Sequence, residues 1–157
     1  MEQELTRCNR EHATVAVMVC DVDGFKQIND RYAHLAGDKV LKLFANLIRE
    51  VCREYDYAAR MGGDEFVIVA PNMTPGSVSE RSILLSALAQ QTSREVCNTD
   101  MLSLSLGAAF YPLDGQDTEQ LLAEADRRMY AAKQLHYERC DLIPSGDASR
   151  SLLALIN

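Results

Sequence analysis

Acidic residues at two separated places carry the chemistry this sequence can do. Asp21-Val22-Asp23 closes the apolar run Val15 to Cys20, and Gly62-Gly63-Asp64-Glu65-Phe66 follows about forty residues later. If the strand that ends on Asp21 lies beside the turn that carries Asp64 and Glu65, the acids gather into one cluster. Carboxylates brought together without cations repel one another, so such a cluster either titrates abnormally or holds a hard divalent cation. Magnesium suits it, because it takes one or two carboxylates and completes its octahedron with water and substrate phosphates. A helix N-terminus offers only about half a unit charge, too little for a nucleoside triphosphate, so metal ions must supply most of the neutralisation. The reaction implied is attack on a phosphate. Gly62 and Gly63 agree with it, since a residue without Cβ takes positive φ at a turn and lets a phosphate approach the backbone. Taken singly, each motif has an ordinary reading, a solvated hairpin turn or acids at a strand end. Their joint occurrence favours the metal and phosphate reading.

The elements that must position these residues can be read from periodicity. Val15 to Cys20 is continuously apolar between charged flanks, the pattern of a strand covered on both faces. Val40, Phe44, Leu47, Ile48 and Val51 form one stripe of a long amphipathic helix, with Asp38 where an N-cap would stand. A strand is expected from Tyr57 to Met61, a turn at Gly62-Gly63, and a strand through Phe66 to Ala70 closed by Pro71. Thr74-Pro75 opens a helix carrying Val78, Leu85 and Leu88, and Met101 to Tyr111 is strand-like. Asp117 with Gln120 resembles a capping box for a last helix, whose inner stripe is Leu121, Leu122, Ala125, Met129 and Ala132 and which carries Lys133 near its end. With a short helix over residues 2–12, the order is α-β-α-β-β-α-β-α. That is an α/β sandwich containing an antiparallel hairpin, without internal repeats. Residues 1–140 form one domain and residues 141–157 a tail, including the apolar patch Leu152 to Ile156.

Composition excludes several classes of function. The 157 residues carry a formal charge of −7, the wrong sign for non-specific nucleic-acid binding, which needs a basic face. A polymerase palm shares the carboxylate logic but is disfavoured by that acidity and by the small size. No apolar run is long enough to span a bilayer, and the start lacks the basic-then-apolar order of a signal peptide. Five cysteines without paired spacing argue against a disulfide framework or a zinc site and fit a reducing, cytoplasmic compartment. No membrane contact by this domain is expected, although it fits the cytoplasmic part of a larger, membrane-anchored protein.

The order and spacing of several segments resemble the GGDEF family of diguanylate cyclases over roughly Leu5 to Lys133. The resemblance rests on Asp21-Val22-Asp23-Gly24-Phe25-Lys26-Gln27-Ile28-Asn29-Asp30, Ala33-His34-Leu35-Ala36-Gly37-Asp38 and Ala59-Arg60-Met61-Gly62-Gly63-Asp64-Glu65-Phe66. Ser103-Leu104-Ser105-Leu106-Gly107, Tyr111-Pro112-Leu113-Asp114-Gly115, Leu121 to Asp126 and Tyr130-Ala131-Ala132-Lys133 extend it. It implies a central, mainly antiparallel sheet flanked by helices, as in nucleotide cyclases and polymerase palms. It also implies an enzyme that joins two GTP molecules, each held by one domain of a homodimer, into cyclic di-GMP and pyrophosphate.

Matched residue by residue, Asp21, the carbonyl of Val22 and Asp64 would bind two magnesium or manganese ions, supported by Glu65, with Asp64 also the general base. Asn29 and Asp38 would read guanine, and Lys26 and Lys133 would contact phosphates. Phe25, His34, Gly62 and Gly63 fall in the substrate-binding segments, although Phe25 and Ile28 suit the core better than the site. Arg53-Glu54-Tyr55-Asp56 matches an Arg-x-x-Asp site where the product inhibits, against the plain reading of a local Arg53–Asp56 ion pair. Arginine can grip the guanine O6 and N7 edge with two hydrogen bonds.

Three departures stand out. His136-Tyr137-Glu138 replaces the family's Gly-Arg-Asn, so Tyr137 stands in for a phosphate-binding arginine and offers one neutral donor instead of a charged fork. Ala33 stands where glycine is usual. The family's Leu-Thr-Gly-Leu-x-Asn-Arg segment is absent, so a sensory or dimerising domain is expected upstream. The rival to an active cyclase is a degenerate module that binds GTP or cyclic di-GMP and signals through protein contacts.

Overall fold

A computed structural model describes Met1 and residues 13–142. Within them run β1 (Val15–Asp23), α1 (Phe25–Val51), β2 (Tyr57–Gly62), β3 (Glu65–Pro71), α2 (Pro75–Cys97), β4 (Ser103–Tyr111) and α3 (Thr118–Leu142). From the first strand onward this is the expected succession. The helix anticipated over residues 2–12 and the tail beyond 142, with its Leu152 to Ile156 patch, lie outside the described residues.

The four strands form one sheet in the order β2-β3-β1-β4, and every neighbouring pair is antiparallel. β1 is interior and all nine of its residues are buried, which is why Val15 to Cys20 reads as an unbroken apolar run. Strand alternation sorts its side chains between two cores. Ala16, Met18, Cys20 and Val22 pack with Val40, Phe44 and Ile48 of α1 and Leu85 of α2. Val15, Val17 and Val19 pack with Leu121, Ala125 and Met129 of α3. Fully burying a side chain such as Phe44, set edge-on to Phe66 with ring centroids 5.3 Å apart, contributes about 1.5–3 kcal/mol. The result is a sheet with α1 and α2 on one face and α3 on the other.

Helix starts follow the expected caps. The Thr74 side chain accepts from Ser77 N at 3.2 Å, with Pro75 in the first turn. Gln120 donates to Asp117 from its backbone at 2.8 Å and from its side chain at 2.9 Å. Two expectations need correction. Asp38 is not an N-cap: the chain is already helical from Phe25 and bends at Ala33 (φ 67°, ψ 162°), so the second arm begins before Asp38. Lys133 is not near the end of its helix, because α3 continues to Leu142. Among the described residues no helix is long and apolar enough to cross a membrane.

Candidate active site

The alternation that buries Val15, Val17 and Val19 against α3 carries Asp21 and Asp23 onto the same face at the end of β1. Both carboxylates are almost fully buried, at 5% and 3% exposure. Such burial is costly for a charge unless hydrogen bonds or ion pairs compensate it. The α3 layer does so: Lys133 Nζ meets Asp21 Oδ1 at 2.7 Å. Asp23 Oδ2 accepts from Ser105 Oγ at 2.7 Å and from Ser103 Oγ at 3.4 Å, while Ser103 Oγ also lies 3.2 Å from His136 Nε2. Asp23 Oδ1 is buried with no hydrogen-bond partner among the described residues.

The acids that the sequence placed in two segments are brought together. Asp21 pairs in register with Glu65, and Val22 N donates to Asp64 O at 3.1 Å. The Gly62-Gly63 turn therefore closes onto the end of β1. Gly63 takes φ 51°, a left-handed conformation that favours glycine, while Gly62 does not, so the positive φ expected of both is required at one. A Cβ at either position would meet nothing within 4 Å, which leaves open space above the turn. Arg60 Nε donates to Gly63 O at 2.7 Å and braces it.

The electrostatics fit a site short of positive charge. Burial, then the charge of Asp21, holds the Asp64 carboxyl above its ordinary value. Asp23 is also raised, by burial first, with the Ser105 hydrogen bond and His136 opposing. Burial pulls Lys133 down, but the hydrogen bond to Asp21 and its charge outweigh that, so the ammonium is held more firmly than usual. Among the described residues no three or more His, Cys, Asp or Glu side chains are gathered closely enough to hold a metal by themselves. An ion at Asp21 and Asp64 would need substrate phosphates as further ligands, which is how magnesium is commonly bound.

The remaining predicted residues fall into two groups. Lys26, His34 and Asp38 are exposed on α1, and Asn29 is half-buried in its first arm. Phe25 is half-buried and packs against the core, as its apolar character suggested. Arg53 and Asp56 stand apart, at the link between α1 and β2. Arg53 forks onto Asp56 at 2.9 and 3.1 Å and also donates to Pro71 O at 3.0 Å. Both residues line a cavity of about 600 Å³ together with Arg49, Arg60 and Tyr57. Arg81 reaches the same carboxylate at 3.2 Å, a partner that the sequence reading missed because it lies on α2, 25 positions away. Ser103, Ser105 and His136 were also not singled out as site residues; the only signal was the alternation of Ser103 and Ser105 on a strand facing Asp23 and Asp21.

A family model described as "Diguanylate cyclase, GGDEF domain" matches residues 1–139. The bifunctional diguanylate cyclase/cyclic di-GMP phosphodiesterase MucR of Pseudomonas aeruginosa is 38% identical over 136 residues, covering 85% of this chain and 19% of that protein. The diguanylate cyclase DgcS of Shewanella oneidensis is 34% identical over 134 residues, covering 85% of this chain and 44% of its own length. The chain thus spans less than half of either relative. Among solved structures, the GGDEF domain of YfiN (TpbB) from Pseudomonas aeruginosa aligns with a TM-score of 0.73 and 34% identity, covering 85% of this chain and 84% of that one.

Proposed function

The chain belongs to the GGDEF family of diguanylate cyclases, and we propose that it condenses two GTP molecules into cyclic di-GMP, releasing pyrophosphate as each of the two 3′–5′ bonds forms. The observation that carries this reading is the pairing of Asp21 with Glu65, with Val22 bonded to Asp64 O and Lys133 closing on Asp21. Acids and a cation then meet at one strand end, and a triphosphate with its counterions needs both.

Asp21, the carbonyl of Val22 and Asp64 would hold two magnesium or manganese ions, with Glu65 in support. The raised carboxyl of Asp64 fits this assignment, because burial first, and repulsion from Asp21 after it, disfavour its charge, and a bound cation offsets both. When bound, such ions supply Lewis-acid stabilisation of charge on the reacting phosphate and on the departing pyrophosphate.

The chain's own groups do the rest. Asp64 takes the proton from the ribose 3′-hydroxyl, whose oxygen bonds to the α-phosphorus of the partner's GTP while the α–β bridging bond breaks. Lys133 and Lys26 bind phosphate oxygens, and the open turn at Gly62 and Gly63 admits them. Asp38 accepts from the N1 and N2 donors of guanine, a donor pair that adenine lacks, and Asn29 supplies an amide beside it. Phe25 and His34 flank that base site. One domain holds one GTP, so turnover needs a homodimer, and a sensory or dimerising domain would lie in the additional length seen in the longer relatives. The reaction belongs in the cytoplasm. Arg53 and Asp56, beside their cavity, would bind the product and lower turnover.

A module that binds nucleotide without turnover is favoured by one observation, Tyr137 beside Lys133 in place of an arginine. The intact set of Asp21, Asp64, Glu65 and Lys133 favours the enzyme. Pyrophosphate release from GTP and magnesium should fall to background in Asp64→Ala. Release that is unaffected by this substitution would refute the assignment.

A further inference from the structure

Gly37 stands where the two arms of α1 touch. The bend at Ala33 turns residues 34–51 back so that the buried Gly37 meets the arm carrying Phe25 and Asn29. A Cβ at position 37 would lie 2.0 Å from Asn29 Oδ1, 3.0 Å from its Cγ and 3.1 Å from Phe25 Cε2. Asn29 Oδ1 is buried there without a hydrogen-bond partner among the described residues. Among the described residues no bond therefore fixes the inner end of this carboxamide; the fit against the bare Cα of Gly37 does. Asp38, the other proposed guanine reader, is the next residue along.

We infer that Gly37 is a positioning residue of the base site: lacking a Cβ, it holds the Asn29 carboxamide where it meets guanine. The inference rests on the assignment of Asn29 and Asp38 to the base. Its physical basis is which neighbour must give way. At Gly107 an added Cβ would strike backbone, 2.1 Å from both Ala125 O and Met129 N, and the helix must move. At Gly37 the nearest atom is the tip of a side chain, which can rotate away. The chain can keep its fold with alanine at 37, and the cost falls on where Asn29 points.

Calorimetric titration with magnesium GTP tests this without depending on turnover. Gly37→Ala should weaken GTP binding about tenfold, the loss of roughly one hydrogen bond. Binding of magnesium tripolyphosphate, which has no base, should stay within about twofold of wild type. On an Asn29→Ala background, adding Gly37→Ala should change GTP binding no further. In steady state KM rises and kcat is retained. Unchanged GTP affinity in Gly37→Ala, or an equal loss on the Asn29→Ala background, overturns the inference. If Gly37→Ala alone does not fold, the double variant carries the test, because it removes the obstructing side chain. Wild-type protein that binds GTP without making product overturns the proposed reaction and leaves this inference standing. Wild-type protein that does not bind GTP overturns both.

Discussion

Lys133 Nζ lies 2.7 Å from Asp21 Oδ1, joining α3 to the end of the central strand at the point where the acidic turn closes. The contact depends on how closely α3 approaches the sheet, and Gly107 sets that approach. It pairs with Val19 in β1, and a Cβ there would meet the α3 backbone at 2.1 Å. Gly107→Ala should therefore push α3 outward, with a loss of about 1–3 kcal/mol in urea unfolding. GTP turnover should fall with it as Lys133 and Asp21 part. Unchanged stability would mean that Gly107 does not set the approach of α3 to the sheet.

Asp64 gives a prediction whose sign depends on pH. Its carboxyl is raised above the ordinary value of 3.8, mainly by burial and then by Asp21. Well below that value it is protonated in both states and contributes nothing. As pH rises through it, the unfolded chain ionises first, so stability falls until the folded group ionises too. Asp64→Asn should accordingly melt higher than wild type near pH 7 in metal-free buffer, while being inactive. The gap should shrink as pH is lowered toward 3.8. A variant that melts lower than wild type at pH 7 contradicts this electrostatic account.

Ala33 occupies φ 67°, ψ 162°, a region essentially reserved for glycine. Strain there is of order 1–3 kcal/mol, against about 0.5–1 kcal/mol of added unfolded-state freedom for glycine. Ala33→Gly should raise stability by about 1 kcal/mol, read as a higher urea midpoint, with GTP turnover retained. A lower midpoint would show that the bend is not strained.

Arg53 serves structure as well as the proposed inhibition. The Asp56 side chain is fully buried and accepts from both Arg53 and Arg81. Arg53→Ala should relieve inhibition by added cyclic di-GMP and leave the initial rate intact. It should also cost about 1–2 kcal/mol in stability, because Asp56 loses its fork while keeping Arg81. Inhibition equal to wild type would remove the regulatory role and leave only the ion pair.

Much of this was legible in the sequence, because strand and helix periodicity are local properties. The unbroken run Val15 to Cys20 marked the interior strand, and Thr74 and Asp117 marked helix starts through caps that the structure contains. The α1 bend left one trace only, Ala33 at a position where the resembled family usually has glycine. An alanine in a glycine-type conformation leaves no propensity signal, and the Asp38 cap reading arose from assuming that the helix began after a loop. The acids were found from their types and spacing, but the pairing of Asp21 with Glu65 had to be assumed, since register between strands about forty residues apart is set by the whole sheet. The contacts of Asp23 with Ser103 and Ser105, and of Asp56 with Arg81, arise between distant segments and left no periodic trace.

We propose the cluster of Asp21, Asp64 and Lys133 as the site that turns GTP into cyclic di-GMP. Purified protein at high concentration, which favours the proposed dimer, should be incubated with GTP and magnesium and the mixture resolved by chromatography. A cyclic di-GMP peak is expected with the wild type and should be absent with Asp64→Ala. Wild-type protein that binds GTP yet yields no cyclic di-GMP would contradict it.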